Sequence, residues 1–448
     1  MALTPKRPTR PRGYPLIGQL PGMTNAPALF LQLAARHPGE VIEVGLGVSS
    51  IFLTTHPDHA QRVLMDNYRN YTKQAPMWRP LRRFAGNGLL TAEGDSWLRN
   101  RRLIQPLFGS KQLTGLAEQM IEVAEQEAER LSEHVDGAPI DMDLEMITTT
   151  QRIILATMFG TSLPQQQLHA LAQAVLDSFK AINIRMLLYF VPDVLLPGER
   201  TLRQSLATID QSIAGLIAER RRRPAERDDL LSLLLAVRDE DGEAMSDRQL
   251  RDELVTMFVA GNETTAITMT WLFHLLDQNP EVDARVRAEL DAVLGDDPLT
   301  PENIRALDYC RRAVQEAHRM YPPSWLIPRR AEQADEVGGY AIPAGATVVV
   351  SQYVLHHDAS TWESPEVFDP DRFLPERVEQ RSRYSYIPFG SGPRQCIGNN
   401  FAVLEALIIL AAMHRRMRAR LVPGHVVVPQ AALTLRPKHG LKMTLHPV

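Results

Sequence analysis

Residues 246–278 read as one uninterrupted helix, and no other stretch limits the possible folds so strongly. Ser246 stands where it can cap the first turn. Gln249, three positions later, is placed as the second half of a capping box, and Pro280 lies just past the end. At about 1.5 Å per residue the span is about 48 Å, well beyond the mean globular helix. A helix this long either joins a coiled coil or threads a large domain. Residues 257–260 (Met-Phe-Val-Ala) are too apolar for a solvent face, so threading the core is expected. Its centre departs from a plain core helix: Gly261 and the hydroxyls of Thr264 and Thr265 are poor choices there.

Periodicity and turn residues give further elements. Helices are expected over 28–37, 58–66, 96–105, 111–134, 143–159, 163–180, 201–223, 228–238, 283–294, 307–320 and 404–413. Strands are expected over 41–46 and 50–54, alternating strands and turns over 337–354, and a terminal hairpin from 426–428 and 433–435. Residues 68–96, with two prolines and three glycines, read as a long loop holding short helical pieces. Loops of that length in a compact domain are usually functional. The four-arginine run 220–223 reads as a solvated helix end.

The second constraint is the run Phe389-Gly-Ser-Gly-Pro-Arg-Gln-Cys-Ile-Gly398. Cys396 and Cys310 are the only cysteines, so four-cysteine zinc or iron–sulfur ligation within one molecule is excluded. A lone cysteine in a glycine-rich turn is compatible with an inert buried thiol; it also suits haem iron, which needs one protein thiolate. The loop is no nucleotide cradle, lacking the Gly-Lys-Ser/Thr ending. This run resembles the haem-binding signature of cytochrome P450 monooxygenases. Three more motifs agree. Ala260-Gly-Asn-Glu-Thr-Thr265 resembles the family's oxygen-activating motif, Glu316-Ala-His-Arg319 its Glu-x-x-Arg motif, and Pro370-Asp-Arg-Phe373 its Pro-Glu-Arg-Phe segment with Asp371 in place of the usual Glu.

The resemblance implies a mainly α protein with small β-sheets: a single-domain cytochrome P450 fold with a long central helix and a Cys-ligated haem loop. A proline-rich basic leader (1–27) would precede a haem domain (28–448), although length alone would suggest two or three domains. It implies heme b with Cys396 as axial thiolate and metal ligand, Phe389 covering the sulfur, and Gly398 in the turn. Trp97, Arg101, Arg329 and Arg394 would bind the haem propionates. Arg330 is able to replace Arg329, and Asn100 stands where the family often has His. Glu263, Thr264 and Thr265 would serve dioxygen activation, Gly261 leaving room for O2 as co-substrate. Glu316, Arg319 and Arg372 would form a structural network. His318 reads as a packing residue and not a ligand, and a zinc site at His356 and His357 is not expected.

Pocket candidates are Met77, Leu81, Phe84, Leu89, Met257, Ala260, Trp325, Leu326 and Ile327. They are mainly apolar, which points to a lipophilic substrate, a terpenoid or fatty acid. The chain runs about 50 residues past Cys396, too few for a flavin, nicotinamide or ferredoxin domain. Electrons are therefore expected from an external ferredoxin or flavodoxin with its NAD(P)H-dependent reductase. Arg99, Arg102, Arg415, Arg416 and Arg418 are candidates for a basic patch that would attract it. A peroxide-driven peroxygenase and a non-catalytic haem sensor remain alternatives. Net charge is -4, giving no general pull toward nucleic acid. No 18-residue apolar run is present, and the basic leader lacks the apolar region of a signal peptide or anchor. A cytoplasmic monomer is expected.

Overall fold

Apolar runs punctuated by glycine fold as strands near the N-terminus, and the longer 3.6-periodic runs that follow fold as helices. A computed structural model describes residues 5–160, 165–187, 192, 196–223 and 229–448. The start of the helix expected at 163 and much of the stretch 184–198 lie outside the described residues. In chain order, α1 (Ala26–Arg36) precedes the hairpin β1 (Val41–Leu46) and β2 (Ser49–Thr54), then α2 (Pro57–Gln61). After β3 (Tyr71–Thr72) come α3 (Arg79–Ala85), α4 (Gly94–Ile104), α5 (Ser110–Ser132), β4 (Ile140–Asp141), α6 (Met142–Phe159), α7 (Gln165–Leu187), α8 (Glu199–Arg222) and α9 (Leu230–Ala236). The long α10 (Asp247–Gln278) leads to α11 (Pro280–Val293), α12 (Pro301–Arg305) and α13 (Asp308–Met320). The strands β5 (Ile327–Ala331), β6 (Asp335–Val337), β7 (Tyr340–Ile342) and β8 (Thr347–Val350) follow. Last are α14 (Gln352–His356), α15 (Pro375–Val378), α16 (Asn399–His414), β9 (Arg418–Leu421), β10 (Pro429–Ala431), β11 (Leu435–Pro437) and β12 (Lys442–His446).

The described residues group into two compact units. The first combines Met1–Ala75, Arg312–Cys396 and Val428–Lys438. Its five-stranded sheet has the order β1-β2-β8-β5-β3. Only β2 and β8 run parallel, with Ile51 opposite Thr347, and the valines of β8 are buried because the strand is central. The leader adds to the sheet margins: Thr9 bridges to Ile42 and Lys6 to Tyr340.

The second unit combines Pro76–Arg311, Ile397–Val427 and His439–Val448. Here α10 threads the core, packing along α6 and touching α8, α11 and α16. Ser246 caps it, its Oγ accepting the Gln249 N–H at 3.2 Å. The reciprocal half of the expected box is missing: the Gln249 amide instead donates to Asn100 Oδ1 (2.5 Å) and accepts from Arg99 (3.0 Å) on α4.

The C-terminal hairpin is displaced from its expected position. It pairs Pro429–Ala431 with Leu435–Pro437, leaving Val426 exposed. What fixes the register is Leu435, fully buried, whose N–H reaches Pro323 O. Valine propensity pulled the sequence reading a few residues too early. The four-arginine run is not a uniform solvated end either. Arg220 is nearly buried, pairs with Asp229, and donates to Ser232 Oγ (2.6 Å) and Phe159 O (2.8 Å). Arg222 and Arg223 do lie in solvent. Arg220→Met should therefore cost about 3–5 kcal/mol in urea unfolding, because Asp229 is left as a buried unpaired charge. Arg222→Met should change stability by no more than about 0.5 kcal/mol.

Candidate active site

In the first unit, the chain approaching the cysteine loop is held by α14. Gln352 Nε2 donates to the carbonyls of Ile387 (2.6 Å) and Pro388 (3.0 Å). His356 Nε2 accepts the Ile387 N–H at 3.0 Å. Burial drives that imidazole well below its usual pKa, so the ring is neutral and its nitrogen stays an acceptor. The loop then closes on itself. Gly390 N–H reaches Ile387 O (2.9 Å), Gln395 N–H reaches Gly392 O (3.0 Å), and Cys396 N–H returns to Phe389 O (2.9 Å). Gly390 and Gly392 take φ of 70° and 69°. At Gly392 a Cβ would stand 2.0 Å from Leu64 O, so only glycine allows this approach to the 62–66 turn. Gly398 is different: its φ is -87°, and it serves as N-cap of α16. Phe389 packs edge-on to His318, centroids 5.1 Å apart, and burial lowers that ring to about 4. Cys396 is exposed, whereas Cys310 is buried and its thiol is pushed far up by burial and by Glu289.

The loop's scaffold is the Glu316 network. Arg319 forks onto Glu316 with bonds of 2.7 and 2.8 Å, and Arg372 Nε reaches Glu316 Oε1 at 3.2 Å. The Asp369 N–H adds a fourth donor at 3.1 Å. Burial pushes the Glu316 carboxyl up, and the two guanidiniums and the N–H oppose it. Remaining arginine donors go to backbone: Arg319 to His356 O and Pro365 O, Arg372 to Ser364 O.

Strand alternation separates the two arginines of β5. Arg329 is buried, while Arg330 is half-exposed near Glu332. Arg394 ends the loop's short 3-10 turn, half-buried. Trp325 packs on Phe30 and donates its N–H to Ala432 O (3.1 Å), placing it in this unit's core; Leu326 and Ile327 are half-buried.

In the second unit, α10 presents Ala260 exposed, with Glu263 and Thr264 half-buried and Met257 and Thr265 buried. Thr264 Oγ1 donates to Ala260 O at 2.5 Å. Asn262 is anchored to α6 through Thr150, whose hydroxyl donates to its Oδ1 (2.9 Å). A Cβ on Gly261 would meet Ile154 Cδ1 of α6 at 2.9 Å. Gly261 thus also lets α6 pack closely. On α4, Trp97 is buried and Arg101 donates to Gln105 (2.8 Å). Asn100 faces α10, donating to Glu253 Oε1 at 2.7 Å, which accounts for its amide without a propionate. Leu81 and Phe84 are buried in α3, and Met77 and Leu89 are half-buried nearby in sequence. Of the residues of the expected basic patch, Arg99 pairs with Asp239, Arg102 with Glu240, and Arg416 with Glu125 and Glu129, while Arg415 donates to Gly295 O and Arg418 is exposed.

The family model for cytochrome P450 matches residues 8–444. This protein belongs to the cytochrome P450 family. Cyclooctatin synthase of Streptomyces melanosporofaciens is 35% identical over 95% of this chain and 92% of its own. Pentalenene oxygenase of Streptomyces avermitilis is 34% identical over 98% of this chain and 96% of its own. The crystal structure of the cytochrome P450DA heme domain superposes with a TM-score of 0.89 at 25% identity, covering 100% of this chain and 99% of that one. The P450 is thus an enzyme of the monooxygenase class, mainly α with small sheets. No helix among the described residues is long and apolar enough to cross a membrane.

Family membership implies haem bound by a cysteine thiolate. The donors of the first unit suit that group: one exposed thiol on a loop whose glycine cannot take a Cβ, with Arg394 two residues away and Arg329 buried in β5. One polar residue escaped the sequence reading. Glu405 of α16 is fully buried; among the described residues neither carboxyl oxygen has a partner in full hydrogen-bond geometry, and the Thr265 hydroxyl is the one group that opposes the effect of burial. Its signal was present, as the one charge within the apolar run 401–413. Burial raises it from 4.5 to about 8. A raised carboxyl holds a proton in the native state that the unfolded chain releases, so stability falls as pH rises from about 4.5 to about 8. Glu405→Gln, neutral throughout, should stabilise the P450 by up to about 3 kcal/mol at pH 7 and by little at pH 4, read from denaturant midpoints at both pH values.

Proposed function

We propose that this P450 inserts one oxygen atom from O2 into a lipophilic substrate, with a terpenoid favoured over a fatty acid. Electrons would come from an external ferredoxin or flavodoxin and its NAD(P)H-dependent reductase. The observation that carries the reading is the exposed Cys396 thiol on a loop tied, through His356, to the buried Glu316–Arg319–Arg372 network. The terpenoid class is supported by the relatives named cyclooctatin synthase and pentalenene oxygenase, and by the apolar pocket candidates.

Cys396 would ligate the iron of heme b, with Phe389 beside the sulfur and Gly398 following it. Trp97, Arg101, Arg329 and Arg394 would bind the propionates. Bound haem supplies one-electron redox chemistry and dioxygen activation. The chain's own part is proton handling and placement. Thr264 Oγ1 has its proton committed to Ala260 O in this structure and can rotate to deliver it. Glu263, half-buried, would exchange protons with solvent. Thr265 is buried and acts by position. Met77, Leu81, Phe84, Leu89, Met257, Ala260, Leu326 and Ile327 are the proposed apolar lining, with Trp325 supporting Leu326 and Ile327 from the core.

The test is a screen of terpenoid hydrocarbons and fatty acids with a surrogate ferredoxin pair and product mass analysis. Products carrying one atom from labelled O2 are expected; turnover with peroxide alone and none with the reductase pair would overturn the reading. Cys396→Ala should abolish the thiolate-type carbon monoxide spectrum. Thr264→Ala should retain haem and lose about a hundredfold in product formation, with electrons diverted to peroxide or water.

A further inference from the structure

The turn between α3 and α4 is fastened to α10 by two consecutive acids. Asn87 N–H donates to Asp252 Oδ2 at 2.8 Å, and Leu89 N–H donates to Glu253 Oε2 at 2.9 Å. The residue before each donor, Gly86 and Gly88, has no side chain. A Cβ on Gly86 would fall 2.1 Å from the Asp252 carboxylate, and one on Gly88 would fall 2.3 Å from Thr256 Oγ1 and 2.5 Å from Asp252 O. The turn therefore lies flat on the helix, donating from alternate residues. Arg251 reinforces its upstream end, donating to Phe84 O (2.9 Å) and Asp252 Oδ1 (3.0 Å). Asn100 braces the other side, donating to Glu253 and accepting from Gln249.

Both acids are buried, Glu253 completely. Two adjacent carboxyls in a core helix are unfavourable unless they satisfy donors that nothing else reaches. Backbone N–H groups in a turn outside any strand or helix are such donors. Leu89 hangs directly on this clasp, through its own N–H.

We propose that Asp252 and Glu253 are positioning residues for the substrate: they hold the 86–92 turn, and Leu89 with it, at a fixed place along α10 and so set one wall of the pocket. This rests on the assignment of Leu89 to the pocket lining. Glu253 is the principal anchor because it accepts from both the turn and α4.

The experiment compares wild type with Glu253→Gln, Gly88→Ala and the polarity-reversed pair Glu253→Gln/Asn100→Asp. Hydrogen–deuterium exchange of the peptide covering 86–92 reads the clasp. It should speed up about tenfold in the first two variants, the effect of losing about one hydrogen bond, and return toward wild type in the pair. Spectral titration with imidazole and with 4-phenylimidazole reads the wall, since only the second carries an apolar ring to rest on it. The 4-phenylimidazole Kd should rise about fivefold in Glu253→Gln, with the imidazole Kd unchanged. Unchanged exchange in both single variants overturns the clasp. Faster exchange with both azole affinities unchanged overturns the positioning role. If neither azole binds even wild type, the haem assignment fails while exchange still decides the clasp.

Discussion

A carboxylate removed from water must meet donors at hydrogen-bond distance, and the first unit is organised around the place where Glu316 does so. Four donors converge on it, three of them charged. Each arginine then has donors left over, and those donors select backbone carbonyls at residues 356, 364 and 365. The acid thereby fixes an irregular segment that has no ladder of its own. His356 passes the constraint on: its carbonyl is bound to Arg319 and its neutral ring to the Ile387 N–H, at the entrance to the cysteine loop. A protonated His356 could not accept that bond, so deep burial of the ring is part of the arrangement. The thiol is thus held by this sequence of contacts together with the loop's own hydrogen bonds.

Elsewhere the same problem, fixing backbone outside regular structure, is met by acids and glycines together. Glu289 of α11 accepts the N–H groups of Tyr309 and Cys310 at the start of α13. Asp252 and Glu253 do likewise for the 86–92 turn. Glycine supplies the close approach at Gly86 and Gly88 and, in the first unit, at Gly392 against Leu64 and Gly338 against His59. These glycines matter for contact as much as for backbone freedom, since a methyl group at each would overlap a polar atom.

What the sequence disclosed follows from how local each interaction is. Glu316 and Arg319 lie three apart on one helix, so their shared side is fixed by helical geometry. The length of α10 was legible because Ser246 and Pro280 bound it. By contrast, Asn100 and Glu253 are 153 residues apart and nothing in either neighbourhood announces the other. The parallel pairing of β2 with β8 also joins segments remote in sequence, and β5 was not foreseen in part because one of its two neighbours, β3, is just as remote. Arg220 was misjudged because a charge run describes composition, whereas burial depends on whether one member finds an acid such as Asp229.

The threonines of α10 show how a functional segment departs from the rules of its own helix. Thr264, Thr268 and Thr270 each return their hydroxyl to the carbonyl four residues back, the usual resolution for threonine inside a helix. Thr265 does not, although it is buried and adjacent to Thr264. Its hydroxyl is the one group that opposes the effect of burial on the Glu405 carboxyl, which has no partner in full hydrogen-bond geometry among the described residues. A sequence optimised for stability alone would place apolar groups at both positions. Their coincidence next to Glu263 and Thr264 puts an unfavourable part of the core beside the residues assigned to chemistry, which is where local consistency is expected to give way to function.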